Sequence, residues 1–66
     1  MNLILNGTAR VVADVSTVSG LLEHLGLTGD RLVVERNGEL VKKETFAATA
    51  LREHDRIEIV RLVGGG

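Results

Sequence analysis

The sequence predicts an α+β domain of two layers, a small mixed β-sheet packed against one main helix. Three observations carry this expectation. Short apolar runs alternate with a period of two, one stretch shows helical spacing, and two Asn-Gly pairs stand between strand-like runs.

The chain opens with Met1-Asn2-Leu3-Ile4-Leu5, which alternates with Met1, Leu3 and Leu5 on one face. Asn6-Gly7 follows, and a type I′ hairpin turn needs positive φ at both central residues, which this pair accepts most readily. Residues 8–15 alternate again through Ala9, Val11, Ala13 and Val15, so the start of the chain reads as a β-hairpin. Thr17 is the expected helix N-cap, because a hydroxyl can accept from the unpaired N–H groups of the first turn. Val18, Leu21, Leu22 and Leu25 form one apolar stripe, and Gly26 suits the residue after the helix end. Gly20 is unfavourable in the first turn by up to about 1 kcal/mol against Ala. Either it lets the helix approach the sheet closely or it only weakens the start. A helix over 17–25 is too short to stand alone and needs a sheet to cover.

Residues 27–31 read as a loop. Leu32-Val33-Val34-Glu35-Arg36 is a third strand, Asn37-Gly38 a second hairpin turn, and Glu39-Leu40-Val41 a short fourth strand. Lys42-Lys43-Glu44 is a solvated charge cluster. Residues 44–50 can form a helical turn with Phe46 and Leu51 tucked beneath it. Arg52-Glu53-His54-Asp55 is polar and turn-like, and 56–63 is the last strand, with Ile57 and Ile59 facing inward.

The order is therefore β-β-α-β-β-turn-β. One helix and one small sheet each have a single apolar face, and the simplest packing lays one across the other. The first and last strands are the most apolar, which places them side by side at the centre with right-handed crossovers. That is the β-grasp architecture, expected over 1–63, with 64–66 as a flexible glycine tail.

Composition narrows the function. The chain has 66 residues, enough for one domain near the lower limit of unstapled folding. It has no Cys, which removes disulfides, thiolate metal sites and a cysteine nucleophile, and its two His are too few for a familiar zinc site. A net charge of -1 with interspersed signs argues against nucleic-acid binding. No apolar run approaches the ~18 residues of a membrane span, and no signal peptide is visible, so the expected setting is the cytoplasm.

Catalytic readings find little support. Ser16, Thr17 and Ser19 are explained by helix capping. His24 lies on a helix flank, His54 in a polar turn, and neither has an Asp or Ser at an informative spacing. Asp30, Asp55 and the Glu residues read as solvated surface. What remains is Val63-Gly64-Gly65-Gly66 at the end of the last strand. Three closing glycines would arise by chance roughly 3 times in 10,000. Such a tail adds nothing to a core, but it is thin, flexible and carries an unhindered carboxylate. A carboxylate is a poor electrophile until it attacks the α-phosphate of ATP and becomes an acyl adenylate. A sulfur donor can then replace AMP, leaving a thiocarboxylate. The bland alternative is a frayed end. Val60, Leu62 and Val63 are apolar without being obvious core; either they form a partner surface beside the tail or they finish the sheet.

The stretches Asn6-Gly7, Thr17-Val18 with Leu21-Leu22, Val34-Glu35-Arg36-Asn37-Gly38-Glu39-Leu40-Val41, and Asp55-Arg56-Ile57-Glu58-Ile59-Val60-Arg61-Leu62-Val63-Gly64-Gly65-Gly66 follow a known pattern. Over its whole length the chain resembles the ThiS family, ubiquitin-like sulfur carriers of thiamine biosynthesis. The wider group includes the molybdopterin carrier MoaD. The resemblance implies a β-grasp fold and no catalytic residue of the chain's own. It implies adenylation of Gly66 by a ThiF-like adenylyltransferase using ATP, and a sulfur donor protein that converts Gly66 to the thiocarboxylate. Gly64 and Gly65 would enter partner active sites, and sulfur would pass to the thiazole synthase ThiG. No bound cofactor, metal, membrane or nucleic acid is implied, and the free carrier is expected to be monomeric. Other readings are a carrier for molybdopterin or cysteine synthesis and a ubiquitin-like module with an inert tail. Two positions depart from the family pattern: Gly20, where a polar residue is common, and His54, where Gly is frequent.

Overall fold

The computed structural model describes residues 1–28 and 31–63. Its elements are β1 (Asn2–Leu5), β2 (Thr8–Val11), α1 (Val18–His24), β3 (Leu32–Arg36), β4 (Glu39–Val41), a 3₁₀ turn (Lys43–Thr45) and β5 (Arg56–Arg61). The five strands form one sheet in the order β2-β1-β5-β3-β4. β1 and β5 run parallel at its centre, and all other neighbours are antiparallel. The expected β-grasp arrangement of a mixed sheet under one helix is the one observed.

Both Asn-Gly pairs form the expected turns: φ is +48° and +81° at Asn6 and Gly7, and +52° and +85° at Asn37 and Gly38. Thr17 caps α1 by accepting from the Gly20 N–H at 3.1 Å. Two further N–H groups of the first turn, those of Val18 and Ser19, donate to the carbonyls of Thr49 and Phe46 at 3.0 Å each. The segment after the 3₁₀ turn thus satisfies helix donors that would otherwise be orphaned. It also brings Phe46 and Leu51 against the core. No atom of the sheet lies within 4 Å of where a Gly20 side chain would begin; the nearest contact is Thr17 Oγ1 at 3.4 Å. Gly20 therefore serves no close approach to the sheet.

The core is aliphatic: Leu3 and Leu5 of β1, Val12 and Val15, Val18, Leu21 and Leu22 of α1, Val34, Leu51 and Ile57. One expected face is inverted. Ala9 and Val11 of β2 do not point at the helix; Val11 is 76% exposed, whereas Val12 is 2% exposed. The turn is the cause. A two-residue loop at Asn6-Gly7 pairs Leu5 with Thr8 and Leu3 with Arg10, so the residues sharing the core face are Thr8, Arg10 and then Val12. β2 is an edge strand outside the cover of the short helix, and all four of its residues are exposed.

Candidate functional site

β5 positions the site, because the sequence runs from it through Leu62 and Val63 into the three glycines. Residues 64–66, and with them the expected tail and the expected modified residue Gly66, lie outside the described residues, as does Asp30. The structure describes how the chain is held up to Val63.

β5 takes the central place in the sheet, between β1 and β3. Ile57 is fully buried beneath α1 and Ile59 is half-buried on the same face. β3 holds its other edge from Arg36↔Ile57 to Leu32↔Arg61, and the Leu62 N–H donates to the Arg31 carbonyl at 2.7 Å. β1 pairs with it only at Ile4↔Arg56 and Leu5↔Ile57, and the Asn6 N–H donates to the Ile57 carbonyl at 2.9 Å.

The start of β5 is fixed by Asp55, which is buried rather than solvated as the sequence suggests. Its carboxylate accepts from Arg36 Nε at 2.7 Å, the Arg52 N–H at 2.8 Å and Asn37 Nδ2 at 2.9 Å. Asn37 completes the link by accepting the Arg56 N–H at 2.9 Å. Burial alone would raise the Asp55 pKa. The hydrogen bonds from Asn37, Arg52 and Arg36, with the charge of Arg36, outweigh it and hold the carboxyl below its ordinary value. A buried charge is tolerated here because it is paired and its oxygens are occupied. In the same turn Glu53 accepts from the Asn2 N–H, and that bond lowers the pKa of this exposed carboxylate. His54 between them takes φ +69°, a conformation easiest for Gly, and donates its N–H to the Asn2 carbonyl at 2.6 Å.

The face of the sheet away from α1 is open. Alternation along β5 puts Glu58 and Val60 there, with Val33 and Leu40 on neighbouring strands and Ile4, Ala9 and Val11 beyond. Val60, Leu62 and Val63, the candidate partner surface, are 52%, 53% and 91% exposed. They line the way out of the sheet and add little to the core. On the helix side of the same end, Leu5, Leu25, Leu27, Leu32 and Ile59 enclose a cleft of about 220 Å³, with Asn6 and Arg61 at its rim.

The other candidate chemical groups do not converge. Ser16 is exposed, Thr17 caps the helix, and His24 and His54 are exposed at different ends of α1 and β5. Among the described residues no three acidic or His side chains gather as a metal site. No helix among them is long and apolar enough to cross a membrane. Sequence reasoning missed Asp55 and the side-chain roles of Asn6 and Asn37. Each asparagine had a sufficient explanation in its turn, and nothing in the spacing links Asp55 to Arg36.

Comparisons with known proteins agree with this architecture. A family model described as "ThiS family" matches residues 3–66. The sulfur carrier protein ThiS of Bacillus subtilis is 42% identical over 53 residues, covering 80% of each chain. A thiazole synthase of Paramagnetospirillum magneticum is 41% identical over the whole of this chain, which spans 20% of that protein's length. A thiazole synthase of Magnetococcus marinus matches likewise, at 39% and 20%. The crystal structure of the thiamine biosynthesis protein ThiS from Geobacter metallireducens superposes with a TM-score of 0.84 at 36% identity, covering all of both chains.

Proposed function

The chain belongs to the ThiS family, and from that premise we propose that it is a sulfur carrier for thiazole formation in thiamine biosynthesis, a protein co-substrate without catalytic residues of its own. The single observation that carries the reading is the match of the family across 3–66, glycines included. The central β5 leads directly into those glycines, and exposed Val60, Leu62 and Val63 flank the approach, which suits a body that partners grip while they act on its end.

In this reading Gly66 is the reacting residue. A carboxylate oxygen of Gly66 attacks the α-phosphorus of ATP in the active site of a ThiF-like adenylyltransferase, and pyrophosphate leaves. The acyl adenylate has AMP as its leaving group. The terminal sulfur of a donor-protein persulfide adds to the acyl carbon and AMP departs, leaving an acyl disulfide. A reducing thiol then attacks the donor's own sulfur, so that the donor leaves as a mixed disulfide and the thiocarboxylate holds sulfur without free sulfide. Gly64 and Gly65 present no side chain to the walls of a narrow channel. Thiazole synthase is the proposed acceptor, which is supported by two thiazole synthases that each contain a stretch similar to this chain. Joining carrier and synthase in one polypeptide raises the effective concentration of one for the other. The reaction is expected to take place in the cytoplasm.

Intact-mass spectrometry after incubation with ATP, a ThiF-like adenylyltransferase and a sulfur donor tests the proposal. The expected product has one oxygen replaced by sulfur, and a variant lacking Gly66 stays unmodified while keeping its circular-dichroism spectrum. An unchanged mass with an adenylyltransferase that modifies the Bacillus carrier in parallel rules the reading out.

A further inference from the structure

Among the described residues the β1 side of β5 has no strand to pair with beyond Leu5, because β1 ends there and the chain turns away at Asn6-Gly7. The next hydrogen bonds on that side come from a side chain. Asn6 Oδ1 accepts the Ile59 N–H at 2.7 Å and Asn6 Nδ2 donates to the Ile59 carbonyl at 3.3 Å. A carboxamide is a peptide group in miniature. It offers one acceptor and one donor in the same fork and satisfies both backbone groups of one residue, as a facing strand residue would. Positive φ at Asn6 aims the side chain back across the sheet, and the turn requires that φ in any case.

We propose that Asn6 is a positioning residue that sets the line on which 61–63 leave the sheet, and so governs how productively the end of the chain is presented to a partner active site. This rests on the carrier reading above. Without the Asn6 contact, β5 past Ile57 is held among the described residues from the β3 side, by the pairs from Glu35↔Glu58 to Leu32↔Arg61 and by the Arg31–Leu62 bond. A strand held along one edge twists more than one held along both. The two turn asparagines divide the work. Asn37 ties the start of β5 and is part of the Asp55 network, whereas the side-chain bonds of Asn6 go to the backbone of Ile59 and hold β5 next to its exit.

Asn6→Gly separates the amide from the turn, since Gly accepts the same positive φ. In the folded variant the Ile59 amide should lose its protection from hydrogen exchange. Residual dipolar couplings of the 61–63 amides should change. With the adenylyltransferase, kcat for formation of the modified chain should fall about tenfold, because the reacting end is misplaced, and KM should rise only as far as Leu62 and Val63 shift with it. Asn37→Gly is the control. It should lower stability more, through Asp55, yet leave the 61–63 couplings and kcat as in the wild type. Unchanged couplings in Asn6→Gly overturn the proposal, and so do changed couplings with an unchanged kcat. The coupling measurement needs no partner, so a wild-type chain that is never modified counts against the carrier reading and leaves the positioning of 61–63 to be decided by that measurement alone.

Discussion

Replacing Asp55 with Ala should destabilise the domain by about 3 kcal/mol at neutral pH. The variant removes three hydrogen bonds to one carboxylate, from Arg36, Arg52 and Asn37. Bonds to charged groups contribute roughly 1.5–3 kcal/mol each, but the Arg36 side chain is partly exposed, and water recovers part of the loss for it and its neighbours. About 3 kcal/mol is therefore nearer than the simple sum. For a chain of this size that is a large share of a total of roughly 3–10 kcal/mol, and it lowers Tm by about 12–24 °C. The pH dependence distinguishes this cause from lost packing. The folded pKa of Asp55 lies below its unfolded value. Its stabilisation is then fully present above the unfolded value, about 3.9, and is lost as pH falls through the folded value. Guanidinium unfolding followed by circular dichroism should show a wild-type advantage that is constant above about pH 5 and shrinks below about pH 4. An advantage under about 1 kcal/mol at neutral pH, or one of equal size at every pH, refutes the reasoning.

The inverted face of β2 gives a paired test: Val12→Ala should cost about 2 kcal/mol by thermal unfolding, and Val11→Ala less than about 0.5 kcal/mol, the opposite of what simple alternation from Ala9 suggests. Val60→Asp and Leu62→Asp on the open side of β5 should leave Tm within about 3 °C while raising KM for the adenylyltransferase severalfold, measured by pyrophosphate release; an unmoved KM assigns these residues to the sheet alone.

The fold was largely legible because its signals are local. Two Asn-Gly pairs fix two hairpins, a hydroxyl before an apolar stripe fixes the helix, and an aliphatic last strand next to an aliphatic first strand fixes the centre of the sheet. The β2 face is legible from the turn: a two-residue loop makes Leu5 face Thr8, which sets the parity of everything up to Val12. Alternation of small apolar residues outweighed that rule and misled, because on an exposed edge strand the pattern reports no burial. Asp55 was not legible. Its partners Arg36 and Asn37 reach it only when β3 and β5 lie side by side, and a carboxylate among Arg52, Glu53 and His54 reads as solvent-facing by composition. The site divides the same way. The glycines and the apolar exit residues announce themselves in order along the chain, whereas the hold of Asn6 on Ile59 spans almost the full length and exists only through the parallel β1–β5 pairing.

Sulfur followed through one turnover tests the central claim most directly. The chain is incubated with ATP, a ThiF-like adenylyltransferase and a donor carrying radioactive sulfur, freed of small molecules, and then mixed with thiazole synthase and its remaining substrates. A sulfur carrier takes up label at Gly66, loses it on addition of the synthase and returns it in the thiazole product, one sulfur per chain. Label that never joins the chain, or that stays on it while thiazole forms unlabelled, contradicts the account.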